Sequence, residues 1–199
     1  MSGERKFWMR WRVRLGYPVA VIYWLLAWPE PRWILAGGVI AFFGLLIRAL
    51  AAGHLKKSEE LTTSGLYSRT RNPLYFGSSL LAAGFCVAGH SWIAGALVAI
   101  YFGVFYYAVM RNEEEELRAR WGPAFEQYAA HVPLFFPRAF DEPGGTERTS
   151  EAEAPARKQF SWAQYRRNRE YRALAGTIAA LVAVWARMWL PAAWTLVQR

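Results

Sequence analysis

Residues Pro73 to Met110 read PLYFGSSLLAAGFCVAGHSWIAGALVAIYFGVFYYAVM and contain no Asp, Glu, Lys or Arg. A helix needs about 20 mostly apolar residues to cross the hydrocarbon core of a bilayer. This stretch offers two such segments, Pro73 to Ala88 and Trp92 to Met110, joined by the tight turn Gly89-His90-Ser91. Apolar runs this long, rather than apolar residues at amphipathic spacing, predict an all-α integral membrane protein.

Upstream lies a second candidate hairpin, with Leu15 to Trp28 and Trp33 to Leu50 on either side of Pro29-Glu30-Pro31. Gly37, Gly38 and Gly44 are placed to let its partner helix approach closely. Downstream, Tyr171 to Leu190 forms a fifth apolar segment that stands apart. Five spans are therefore expected: two hairpins and a C-terminal helix.

The whole chain has 199 residues, 24 Lys plus Arg against 15 Asp plus Glu, and a formal charge of +9. Its apolar fraction of 54% and its eleven Trp exclude a disordered chain, a disulfide scaffold and a coiled coil. Cys86, alone in an apolar run, reads as a small buried hydrophobe. No compact soluble region remains to present a nucleic-acid surface, so the basic charge is assigned to the membrane. No P-loop, dinucleotide-binding glycine pattern or metal-ligand spacing occurs.

Basic loops stay on the cytoplasmic side. Arg5, Lys6, Arg10, Arg12 and Arg14 precede the first span, Lys56, Lys57, Arg69 and Arg71 follow the second, and an Arg-rich segment follows the fourth. These place the N-terminus, residues 53–72 and residues 111–169 in the cytoplasm and the C-terminus outside, as in a bacterial inner-membrane protein. The domain reading is a core over 1–137, a flexible linker over 138–159 rich in Glu, Ala, Pro and Gly, and an interfacial segment with the last helix over 160–199.

Two charged motifs flank the central hairpin. Before it stands Gly65-Leu66-Tyr67-Ser68-Arg69-Thr70-Arg71-Asn72-Pro73-Leu74-Tyr75-Phe76-Gly77. Asn72 suits an N-cap and Pro73 a first helical residue. The free N–H groups of that helix start, beside Arg69 and Arg71, suit an anionic or carboxylate-bearing ligand. After the hairpin stand Glu113-Glu114-Glu115-Glu116-Leu117, Trp121-Gly122, Phe125, Tyr128 and Val132-Pro133. One or two of the four carboxylates can point inward from a helix, toward a cationic group, while Arg118 and Arg120 balance the rest.

The order Gly-x-Tyr-x-x-x-Arg-Asn-Pro-x-Tyr-x-Gly, a membrane hairpin, then Glu-Glu-x-x-Leu-x-x-x-aromatic-Gly-x-x-aromatic-x-x-Tyr and Val-Pro resembles the isoprenylcysteine carboxyl methyltransferase and phospholipid methyltransferase superfamily. With Arg48, Ala51, Gly53 and His54 before them, the matching segments cover about Ile47 to Pro137. The resemblance implies a membrane enzyme that binds S-adenosylmethionine from the cytosolic side and methylates a lipophilic acceptor taken from the bilayer. It implies cofactor contacts from Tyr67, Arg71, Asn72, Pro73, Tyr75, Gly77, Glu113 and Glu114. An alternative role for Arg71 is to orient an acceptor carboxylate, and Glu114 or His54 would be the base for an amine or hydroxyl acceptor.

The sequence departs from the pattern at Leu66, where Pro is usual, and at Asn72, where better-known members have His. Asn keeps a hydrogen-bonding side chain but moves no proton near neutral pH. The aromatic cluster Tyr101, Phe102, Phe105, Tyr106 and Tyr107 reads as helix packing or as the wall of a groove for a prenyl or acyl chain. The rival readings are a nicotinamide-dependent reductase of the sterol-reductase type, for which the chain is short, and a non-enzymatic membrane scaffold.

Overall fold

The computed structural model describes residues 3–56, 60–138 and 160–190. Among them there are seven α-helices and no strand: α1 (Gly3–Leu26), α2 (Pro31–His54), α3 (Pro73–Gly89), α4 (Trp92–Trp121), α5 (Pro123–His131), α6 (Trp162–Arg167) and α7 (Tyr171–Arg187). All five expected apolar segments are helical. Two of them, α2 and α4, are long and apolar enough to cross a membrane, while Arg14–Leu26 and Pro73–Gly89 are shorter apolar helices. The linker reading falls on residues 139–159, outside the described residues apart from Arg138.

The bundle is organised around α2 and α3. A Cβ on Gly37 would lie 2.3 Å from the Gly84 carbonyl oxygen, and one on Gly44 would lie 2.7 Å from that of Gly77. In apolar surroundings helices gain little from hydrophobic burial, so close backbone approach and dispersion hold them together. The sequence reading assigned these glycines to the first hairpin, and the structure corrects it: Gly37 and Gly44 face α3, not α1, and Gly38 has no neighbour within 4 Å of a Cβ position. Glycine spacing marks a close face but not which helix meets it.

At one end, short turns close both hairpins. Trp28 N donates to Gly89 O at 2.8 Å, and His90 caps α3 in the left-handed conformation. Cys86 is half-buried, its thiol directed to Gly95 O at 3.7 Å. At the other end α4 continues for 30 residues, about 45 Å at 1.5 Å per residue. Its charged last turns, α5, α6 and residues 60–72 form a layer there.

The C-terminal unit does not stand apart. Arg48, on α2, grips Glu170 with both arms of its guanidinium, Nε to Oε1 at 2.6 Å and Nη2 to Oε2 at 3.1 Å. Asn168 donates to Ala52 O and Leu55 O, and Ser161 N donates to Gly53 O. Phe160 lies against Gly53, where any side chain would collide with its ring. Farther along, Trp24 Nε1 donates to Ala183 O, and Arg187 bonds the carbonyls that end α1.

Candidate functional site

The loop before α3 is shaped by its sequence. Gly65 has a φ of +63°, in the left-handed region that favours glycine, and a Cβ there would lie 2.9 Å from the His54 ring. A 3-10 turn over Gly65–Ser68 follows and buries Tyr67. Asn72 stands at the N-cap of α3 and Pro73 at its first position, as expected, but Asn72 makes no cap bond. Its Nδ2 donates instead to Leu134 O at 3.0 Å.

That bond belongs to a polar seam between this loop and the segment after α5. Arg71 N donates to Pro133 O at 2.9 Å, Thr70 Oγ1 to Phe135 O at 2.9 Å, and Arg138 N to Arg69 O at 3.1 Å. Tyr128, on α5, donates its hydroxyl to Tyr67 O at 2.7 Å. Gly122, with a φ of +47°, breaks α4 from α5 and turns α5 back toward the loop. The Val-Pro motif is thus a strap whose carbonyls hold the arginine loop.

α4 supplies the acidic wall. Its residues 109, 112, 113, 116, 117, 120 and 121 recur at the 3.6-residue period and line one cavity of about 1000 Å³. Glu113 and Glu116 lie on that lining, Glu115 is exposed, and Glu114 points elsewhere and is 3% exposed. The Glu114 carboxylate is held by Arg71 Nη1 in an ion pair without an aligned hydrogen bond, and by Arg111 Nη1 at 3.0 Å. Of the two arginines expected to balance the acidic run, Arg120 pairs with Glu116, while Arg118 pairs with Glu126 on α5 instead.

Tyr67, Arg71, Asn72, Pro73 and Tyr75 line the same cavity. Gly77 does not; it is the contact of α3 with Arg48 and Gly44. His54 is also set back, its Nδ1–H donating to Leu50 O at 2.8 Å and its ring edge-on to Phe160. Sequence reasoning passed over Asn112 and Asn168 on the lining, and Thr70 beneath it. Only the polar residues beside each motif could have suggested the first and third; Asn168 reaches the cavity solely through the docking of the C-terminal unit.

Burial, together with the charge of Glu113, pushes the Tyr67 phenol well above the ordinary tyrosine value. Burial does the same to Tyr128, partly offset by the Arg71 cation. Both remain neutral hydrogen-bonding groups. Arg71 Nε is buried and has no hydrogen-bond partner, an uncommon state for a guanidinium donor. With carboxylates, the Arg71 cation and tyrosine faces around one space, the site suits a ligand that carries a carboxylate, an ammonium and hydroxyls.

The chain is 40% identical over 83 residues to the nickel-cobalt-cadmium resistance protein NccN of Alcaligenes xylosoxydans xylosoxydans, covering 42% of this chain and 38% of that one. It is 35% identical over 136 residues to the cobalt-zinc-cadmium resistance protein CzcN of Cupriavidus metallidurans, covering 64% and 62%. The matched region thus spans less than two thirds of either relative. No solved structure matches significantly. Over residues 46–124, which carry Arg48, the arginine loop and the four glutamates, the chain matches the phospholipid methyltransferase family, within the superfamily its motifs resemble.

Proposed function

We propose that the chain transfers a methyl group from S-adenosylmethionine to a lipophilic acceptor at the charged end of the bundle, taken as its cytosolic face. The observation that carries the reading is the convergence of Tyr67, Arg71, Asn72, Glu113 and Glu116 on one cavity. S-adenosylmethionine supplies an electrophilic methyl on a sulfonium. Arg71 receives a carboxylate, and Glu113 and Glu116 receive ammonium or hydroxyl groups. The tyrosine faces suit a cationic centre.

Catalysis on this reading is alignment and exclusion of water. The strap over 132–138 and the Arg71–Glu114 pair fix the loop, and the fork between Arg48 and Glu170 seats Asn168 on the cavity wall. A carboxylate acceptor needs no base. An amine or hydroxyl gives its proton to a cavity carboxylate, and Glu113 and Glu116 hold that position on α4 in place of Glu114 and His54. The relatives are named for metal resistance. On the methyl-transfer reading, the chain's part in such a system is membrane chemistry.

Calorimetry on the detergent-purified chain tests this. S-adenosylhomocysteine should bind saturably, and Glu113→Gln should weaken it by about tenfold, the equivalent of roughly 1.4 kcal/mol, without moving the melting temperature. Binding of NADPH in its place would establish the reductase reading, and binding of neither the scaffold.

A further inference from the structure

The last turn of α2 does not end in a glycine cap. Leu55 follows it in an extended conformation, so the chain does not fold back over the free carbonyls of the helix end. Those carbonyls take their donors from the C-terminal unit. Ser161 N donates to Gly53 O at 3.1 Å, Gln164 Nε2 to Leu55 O at 2.6 Å, and Asn168 Nδ2 to Ala52 O at 2.8 Å and Leu55 O at 2.9 Å. The end of α6 is built to present Asn168 there. Arg169 has a φ of +55°, its N–H donates to Arg166 O and that of Glu170 to Tyr165 O, the paired bonds that usually close on a glycine. Arginine rarely adopts this conformation, and here the Asn168 bonds on one side and the Arg48 fork to buried Glu170 on the other hold it.

This geometry fixes which end of the Asn168 amide is nitrogen, because only a donor can stand against two carbonyl oxygens. Both amide hydrogens are spent on the end of α2, yet Asn168 also lines the cavity, together with Arg48, Tyr67 and Tyr75. What it has left for the cavity is the acceptor Oδ1. We propose that Asn168 is a ligand-binding residue, its Oδ1 accepting a hydrogen bond from a neutral donor on the adenosine part of the bound molecule, a ribose hydroxyl or the adenine amino group. The lining sorts the ligand by charge. Its arginines and glutamates suit a carboxylate and an ammonium, whereas a carboxamide oxygen suits an uncharged donor. The choice of an adenosyl ligand rests on the methyl-transfer reading; the acceptor rests on the amide geometry. Asn168 lies outside the 46–124 family match, so this contact is carried by the C-terminal unit and not by the methyltransferase motifs.

Calorimetry on the full detergent-purified chain decides it, with S-adenosylhomocysteine and its 2′-deoxy, 3′-deoxy and 6-deamino analogues, each lacking one adenosine donor. Asn168→Ala should weaken S-adenosylhomocysteine by about tenfold, the ordinary worth of one hydrogen bond. That difference between variant and parent should vanish with one of the three analogues. Gln164→Ala is the structural control: it strips a donor from the same Leu55 carbonyl but lies off the cavity lining, so it should leave affinity unchanged whatever it does to the melting temperature. Asn168→Ser keeps a donor for the end of α2 and withdraws the oxygen, and carries the same expectation if the alanine variant does not fold. A loss that persists with all three analogues, an equal loss in Gln164→Ala, or parent-like affinity in the Asn168 variants would overturn the contact. The two readings fail separately. Absence of S-adenosylhomocysteine binding from the parent protein overturns methyl transfer, and NADPH, which carries an adenosine of its own, then decides the contact: weaker NADPH binding in Asn168→Ala keeps it, and binding of neither ligand overturns both.

Discussion

Between α2 and α3 the backbones approach through Gly37, Gly44, Gly77 and Gly84, where a Cβ would collide with the facing helix. Between the arginine loop and the strap after α5, the contact is made by Arg71 N, Thr70 Oγ1 and Asn72 Nδ2 on carbonyl oxygens. Along its glycines the first interface rests on shape, with Arg48 Nη1 donating to Ser78 Oγ and Leu74 O only at its charged end, while the second rests mainly on hydrogen bonds. The difference follows from their surroundings. Among apolar helices every backbone group is already satisfied internally, so only close packing can be added. In the loop layer the backbone lacks regular partners, and each donor that finds one removes a cost.

The two interfaces should therefore fail differently. Gly44→Leu drives a side chain into Gly77 and Leu81 and should cost more than about 3 kcal/mol, the upper end of ordinary overpacking, with loss of folded protein in a detergent melting experiment. Glu114→Ala comes next. It leaves the Arg71 guanidinium buried and uncompensated, which should cost about 3–5 kcal/mol, whereas Glu113→Ala, on the cavity wall, should stay within about 0.5 kcal/mol in stability. Equal losses for the two glutamates would break the distinction between the one that builds the site and the one that faces it.

Thr70→Val should cost about 1–3 kcal/mol, because it removes a donor and leaves the Phe135 carbonyl without it, and it should weaken S-adenosylhomocysteine binding through the loosened loop. Smallest is Tyr128→Phe, at about 1 kcal/mol, read by melting at neutral pH. The same residue carries a pH dependence. Burial raises the Tyr67 and Tyr128 phenols in the folded state, so their contribution is fully present below about pH 10, the unfolded value, and is lost as pH rises through their folded values. Melting temperature should fall above about pH 10, and less steeply in Tyr128→Phe.

Much of the site was legible because its signals are local. A helix start at Asn72-Pro73, a helix break at Gly122 and a carboxylate run at the end of an apolar helix each follow from neighbours in sequence. Which glutamate faces the cavity was not, since four consecutive residues sweep all sides of a helix and the choice depends on where Arg71 lies. His54 shows the converse. Its place near Arg48 suggested a base, but a carbonyl four residues back and the Cα of Gly65 occupy its ring.

The sequence by itself determined the helical segments, their hairpin order, the charged end of the bundle and the loop chemistry around Arg71, because apolar length, capping and turn residues act within one or two turns of chain. Only the tertiary structure decided that α2 pairs with α3, that Glu113 rather than Glu114 lines the cavity, and that Glu170 ties the last helix to Arg48 across 122 residues. Those outcomes rest on contacts between segments far apart in the chain, whose complementarity of shape and charge exists only once the helices have packed.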